Sequence, residues 1–192
     1  MNYKKRIRWT KLGAAKSQLR TAIRLWFADG DQASIHTLAS ASHEIIHTLF
    51  KARGLKQLLF DIEIIPKDER QKWGSHIRKS ANFLKHARHE IDGEFNFAPS
   101  INDTILLVCS VALQRMKEPQ EVEFSAIIFW HLVHYPEALS NTSDSLVEGG
   151  VTPEALAGLR KIESHEFLEH FETAWAKGRR PRATFTGPGG TP

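Results

Sequence analysis

His43-Glu44-Ile45-Ile46-His47 has the form H-E-x-x-H. On a helix the two histidines lie one turn apart and can grip one Zn²⁺, while the glutamate acts as base toward the bound water. A catalytic zinc needs a third ligand. The G-x-x-H continuation is missing, because His47 is followed by Thr48-Leu49-Phe50-Lys51-Ala52-Arg53. Asp61 and Glu63, the nearest acids downstream, fall in a short connector. His36 shares the row but sits about 10 Å from His43 along the axis, at 1.5 Å per residue. The expectation is therefore no bound metal, with His43 and His47 as a polar border of a core helix. The alternative is a zinc hydrolase with Glu44 as base.

A second constellation is Asn82-Phe83-Leu84-Lys85-His86-Ala87 with Arg78 and His89. Arg78, Asn82, His86 and His89 share a helix face. Arg and Lys could hold a phosphate while His moves a proton, which is the minimum for cutting RNA. A solvated helix face has the same composition. Arg70 to His76 fits a loose R-x(4–6)-H form of low specificity. Near the C-terminus, His165 with Glu169 and Glu166 with His170 stand at i, i+4, a spacing shared by metal pairs and by ordinary surface hydrogen bonds. Cys109 lies in an apolar run and reads as an inert buried thiol.

The elements that must position these residues are helices. Leu12, Ala15, Leu19, Ala22, Ile23 and Trp26 recur at three and four, so the spacing predicts a helix over 10–28. Asp31 can cap a second helix over 32–53, closed by Gly54. Its apolar stripe is Ile35, Leu38, Ala39, Ser42, Ile45, Ile46, Leu49 and Phe50. Residues 55–66 are too short and mixed to assign. Pro66 favours the start of a third helix running to Ile91, with Trp73, Ile77, Ala81, Leu84 and Ile91 as its buried side. Phe95 and Phe97 anchor the loop that follows. Residues 103–117 and 120–134 are apolar almost all round, as suits the centre of a bundle. Thr152-Pro153-Glu154 is a good start for a last helix ending near Trp175. Strand patterns are nearly absent. An all-α, single-domain bundle of five or six helices over 10–176 follows, with a basic arm at 1–9 and a disordered basic tail at 177–192.

The charge is uneven. The formal charge of the 192 residues is +4. Residues 1–28 carry eight basic residues and no acid, and residues 177–192 carry four and no acid. Between them, fourteen basic residues face all twenty-two acids, a net of −8. Lys4, Lys5, Arg6, Arg8, Arg179, Arg180 and Arg182 could therefore attract nucleic-acid phosphate by releasing condensed counterions. They could equally fold back on the acidic body. The chain shows no apolar run long enough to span a membrane and no secretory signal, and its single cysteine excludes an internal disulfide. A cytoplasmic protein is expected.

Ser34-Ile35-His36-Thr37-Leu38-Ala39 and Asn82-Phe83-Leu84-Lys85-His86-Ala87 together resemble a bacterial family of short all-helical proteins, with S-[IV]-H-T-L-A early and N-F-x-K-H-A about 45 residues later. The resemblance runs from about Leu12 to Pro136. It implies a helical fold and carries over no activity. In that pattern the positions of His43 and His47 are not reliably His, which shifts attention to His36, Asn82, Lys85 and His86. The layout also faintly resembles the HEPN class of helical RNase domains, although Arg78 and His86 are eight apart rather than the usual spacing.

The expected function is a helical module that binds a partner or nucleic acid. The alternatives are a HEPN-like RNase using the Arg78, Asn82, Lys85 and His86 face, with His36 as a further candidate catalytic residue, and the zinc hydrolase above. No cofactor is called for. The candidate partners are nucleic acid, an acidic protein or a second copy of the chain.

Overall fold

Thr10 opens the first helix by accepting the Gly13 backbone N–H on its side chain at 3.0 Å. This satisfies one of the four amides that a helix start leaves orphaned. The computed structural model describes residues 7–55, 70–86, 92–135 and 152–179. Over these it contains seven helices and no strand. They are α1 (Lys11–Phe27), α2 (Gln32–Ala52), α3 (Arg70–Lys85), α4 (Ser100–Arg115), α5 (Val122–His134), α6 (Pro153–Leu159) and α7 (Ser164–Ala176).

The turn between α1 and α2 is set by local chemistry. Asp29 adopts a left-handed φ of 50°. A Cβ at Gly30 would lie 3.0 Å from the Leu25 carbonyl oxygen, so only glycine lets the chain pass so close. Asp31 then caps α2 by accepting from Ser34 N at 2.7 Å. Gly54, at φ 73°, closes it.

α1 and α2 form an antiparallel pair, and α2 also packs on α3 and α4. The Ser42 hydroxyl donates to the Ala15 carbonyl across the α1–α2 seam. α4 buries eleven of its sixteen residues, which places it at the centre of the bundle. α5 packs beside it and α7 covers α5. The Phe167 ring of α7 stacks on Phe27 of α1, with centroids 6.1 Å apart.

Three expectations need correction. The final helix is two helices. α6 tightens into i to i+3 bonds at Lys161 and Ile162, and the break is held by tertiary contacts. Arg160 Nε donates to the Val133 carbonyl, and the Ser164 hydroxyl donates to the Phe27 carbonyl. The bundle therefore has seven helices among the described residues rather than five or six. The buried side of α3 is also rotated: Ile77, Ser80 and Ala81 are buried, while Leu84 is 37% exposed. Finally, α4 begins at Ser100, one turn earlier than expected, with Pro99 already in the helical region. The connector over 56–69, the end of the third helix with His89 and Ile91, and the tail from 180 lie outside the described residues.

Part of the basic N-terminal charge is spent inside the fold. Lys16 reaches Glu121 at 2.9 Å, and Arg20 pairs with the same carboxylate. Arg24 bridges Glu123 at 2.6 Å and Glu172 at 2.8 Å. Burial works against the Glu121 carboxylate, yet Lys16 and Arg20 hold its pKa below the ordinary value. The i, i+4, i+8 row on α1 is thus a clamp onto α5 and α7.

Candidate functional site

His36 lies in the middle of α2 and is 0% exposed, a position fixed by the helical period that also buries Ile35 and Ala39. The sequence places it on the border of the apolar stripe, whereas the contact with both α3 and α4 takes it fully inside. Its Nδ1 lies 2.8 Å from the Asn102 side-chain oxygen in the first turn of α4. The Asn102 amide nitrogen donates to the backbone carbonyl and the side-chain oxygen of Gln32, at 3.2 and 3.0 Å. That orients the amide, so its oxygen accepts and His36 carries its proton on Nδ1. Nε2 is left as an acceptor, with the Ser80 hydroxyl of α3 at 2.8 Å and the Ser40 hydroxyl at 3.1 Å. One lone pair takes one proton, so the two hydroxyls compete for it. Ser80 also has the His76 carbonyl within 2.9 Å as an alternative acceptor. Phe97 covers the imidazole edge-on, with centroids 4.9 Å apart. Burial lowers the His36 pKa, and the charges of Lys85 and His76 lower it further, against the Asn102 hydrogen bond.

Serine, imidazole and amide stand here in the order nucleophile, base, orienting group. Access decides against that use. Ser80, His36 and Asn102 are all 0% exposed. Ser80 sits within α3, where the neighbouring amides are engaged in the helix and leave no oxyanion donors. The cluster instead pins three helices together through satisfied polar groups. Ser40, Ser80 and Asn102 escaped the sequence reading, because a lone serine or asparagine carries no motif. The available signal was a polar Asn102 at the head of the apolar run over 101–113.

Arg78, Asn82 and Lys85 are exposed on α3, as are Lys72 and Lys79, and His86 is exposed directly after its last residue. His36 lies behind that helix and does not join them. Residues 70–86 contain no acid. Among the described residues no carboxylate forms an ion pair with these cations, and the His86 side chain has no hydrogen-bond partner there. The face is open helix surface with a basic stripe. Lys72 and Lys85 stand about 20 Å apart along the axis.

In the H-E-x-x-H segment, the His43 and His47 rings stack with centroids 5.9 Å apart. Nε2 of His43 and Nδ1 of His47 are buried without a partner among the described residues. Burial, with a smaller contribution from the His47 charge, lowers the His43 pKa to about 4. Burial also lowers that of His47. Both rings are therefore neutral at pH 7. Glu44 faces solvent. No group of three or more His, Cys, Asp or Glu able to hold a metal exists among the described residues. His165, Glu166, Glu169 and His170 are exposed, and His170 Nδ1 meets its own helix at the Glu166 carbonyl, 2.7 Å away. Cys109 is fully buried and burial raises its pKa, as expected for an unreactive thiol.

Of the basic ends, Arg8 and Arg179 are exposed, while Lys4, Lys5, Arg6, Arg180 and Arg182 lie outside the described residues. No helix among the described residues is long and apolar enough to cross a membrane.

A surface pocket of about 490 Å³ opens where α1, α4, α5 and the α6–α7 link meet, lined among others by Trp26, Asp103, Trp130 and His134. Trp26 Nε1 donates to one Asp103 oxygen at 2.6 Å. The His134 ring stacks on Trp130 at 3.7 Å and is turned by Nδ1 facing the Trp130 carbonyl.

Comparison with protein-family models, curated proteins and solved structures finds no match for this chain.

Proposed function

We propose that this protein is a non-catalytic helical module that binds nucleic acid through the exposed face of α3. One observation carries the reading. Lys72, Arg78, Lys79 and Lys85 point outward from a helix without acids, unpaired with any described carboxylate. Lys16, Arg20 and Arg24 of α1 are instead neutralised by Glu121, Glu123 and Glu172. Cations spread along about 20 Å of helix, none paired with a described carboxylate, suit a phosphate backbone, which offers one charge per ~1.7 Å of duplex axis. Asn82 and His86 on the same face supply hydrogen bonds to phosphate or sugar. Arg8 and Arg179, both exposed, add further phosphate partners. An RNase reading is less favoured, because Arg78, Asn82, Lys85 and His86 stand on open helix surface and not in a cleft that would exclude water.

Fluorescence anisotropy with a single-stranded RNA and a duplex DNA, repeated over several salt concentrations, tests this. Arg78→Ala with Lys79→Ala and Lys85→Ala should weaken binding and lower the salt slope by about 0.7–0.9 for each phosphate ion pair removed. A chain lacking residues 1–8 and 179–192 separates the ends from α3. If the triple variant binds as tightly as the parent with the same slope, α3 is not the interface. Shortened RNA after incubation with the parent, abolished in His86→Ala, would replace this reading with the RNase one.

A further inference from the structure

The pocket between α1, α4, α5 and the α6–α7 link is independent of the α3 face. We infer that it binds an organic cation with an ammonium or guanidinium head.

Its charges differ in depth. Asp103 is half-buried, whereas Asp29, Glu163, Arg160 and Lys161 stand exposed on the rim. A rim charge is screened by solvent, and a charge set back in the pocket much less. The inner charge therefore decides the sign of the ligand. Among the described residues, Asp103 accepts the Trp26 indole N–H on one oxygen, its second oxygen has no hydrogen-bond donor, and no cation pairs with it. Arg160 is held on the rim by its Nε donating to the Val133 carbonyl at 2.7 Å, and its charge stays in solvent. The inner walls are the indoles of Trp26 and Trp130, set edge to face with centroids 5.7 Å apart. Trp26 turns its N–H edge to Asp103 and His134 covers one face of Trp130, so a cation is recognised by the charge of the carboxylate, with indole surface beside it for the alkyl part. The volume, about 490 Å³, suits a head group with a short alkyl tail. Asp29 and Glu163 at the mouth can meet a second positive charge on a longer amine.

The full chain should be titrated with agmatine, spermidine and inorganic phosphate by calorimetry, with tryptophan fluorescence as a second readout. One or both amines should bind and phosphate should not. Asp103→Asn should weaken the amine at least tenfold (about 1.4 kcal/mol). It keeps an oxygen for the Trp26 N–H, so the fold is preserved. Should it unfold, Asp29→Asn with Glu163→Gln tests the rim alone, with a severalfold loss for spermidine expected. Glu166→Gln, outside the pocket, should change nothing. Three results would each overturn the inference: no amine binding at concentrations on the order of 10 mM, unchanged affinity in both the Asp103 and the rim variants, or binding of phosphate in place of the amines.

Discussion

Nδ1 of His36 lies 2.8 Å from the side-chain oxygen of Asn102, 66 positions along the chain, and both residues are fully buried. Four further groups complete the cluster: Gln32, Ser40, Ser80 and the Phe97 ring. Its members come from α2, α3, α4 and the loop before α4, so the bond records the docking of the central helix.

Asn102→Ala should therefore destabilise the fold by about 1–3 kcal/mol, since it strands a buried imidazole N–H. Ser80→Ala should cost less, because the Ser40 hydroxyl reaches the same nitrogen. A double-mutant cycle of His36→Ala and Asn102→Ala should show coupling above about 0.5 kcal/mol. Urea midpoints at constant m-value check the order; additive effects would mean the bond does not organise the cluster.

On the outer side of α3, His86→Ala should change stability by no more than about 0.5 kcal/mol, and it should not couple to His36→Ala. The motif that contains His86 sits on the helix that touches His36, but the contact is made by Ser80, more than a turn earlier. Chemical denaturation of the single and double variants measures this directly.

Stability should fall as the pH drops from about 7 to 5. Burial lowers the pKa of His36, His43, His47 and His131 in the folded chain. The unfolded chain takes up these protons near pH 6.5 and the folded chain does not, so protons favour unfolding below about that value. The stability is fully present above about pH 6.5 and declines toward the folded pKa values, which for His43 is about 4. His43→Phe removes a buried, unpartnered nitrogen and should flatten the dependence without loss at pH 7. Denaturant midpoints at pH 7.5, 6 and 5 follow the trend; a flat profile for the parent would contradict it.

The purified protein should hold no stoichiometric zinc. His43 and His47 have no third partner among the described residues, and Glu44 points to solvent. One zinc per chain by elemental analysis, lost in His43→Ala, would restore the hydrolase reading.

Much of the architecture was legible in the order of residues. The apolar period of Leu12, Ala15, Leu19 and Ala22 marks α1 to within a residue at each end. Asp31 and Thr152 announce helix starts, because capping is a local reaction between a side chain and amides two or three positions on. The break at Arg160 to Glu163 was not legible. Its bonds run to Val133 and Phe27, partners distant in sequence. The same holds for the basic row of α1, which pattern alone cannot tell from a phosphate-binding face until Glu121, Glu123 and Glu172 arrive beside it.

The helices, their caps and the apolar character of α4 and α5 follow from residue order alone, since each depends on neighbours within one or two turns. Which polar groups face inward was settled by tertiary packing. His36 and His86 both sit in recognisable motifs on long helices, yet one is sealed against Asn102 and Ser80 and the other is open to water. That difference comes from how α2, α3 and α4 are rotated against one another, and the rotation is set by the packing of all their side chains together.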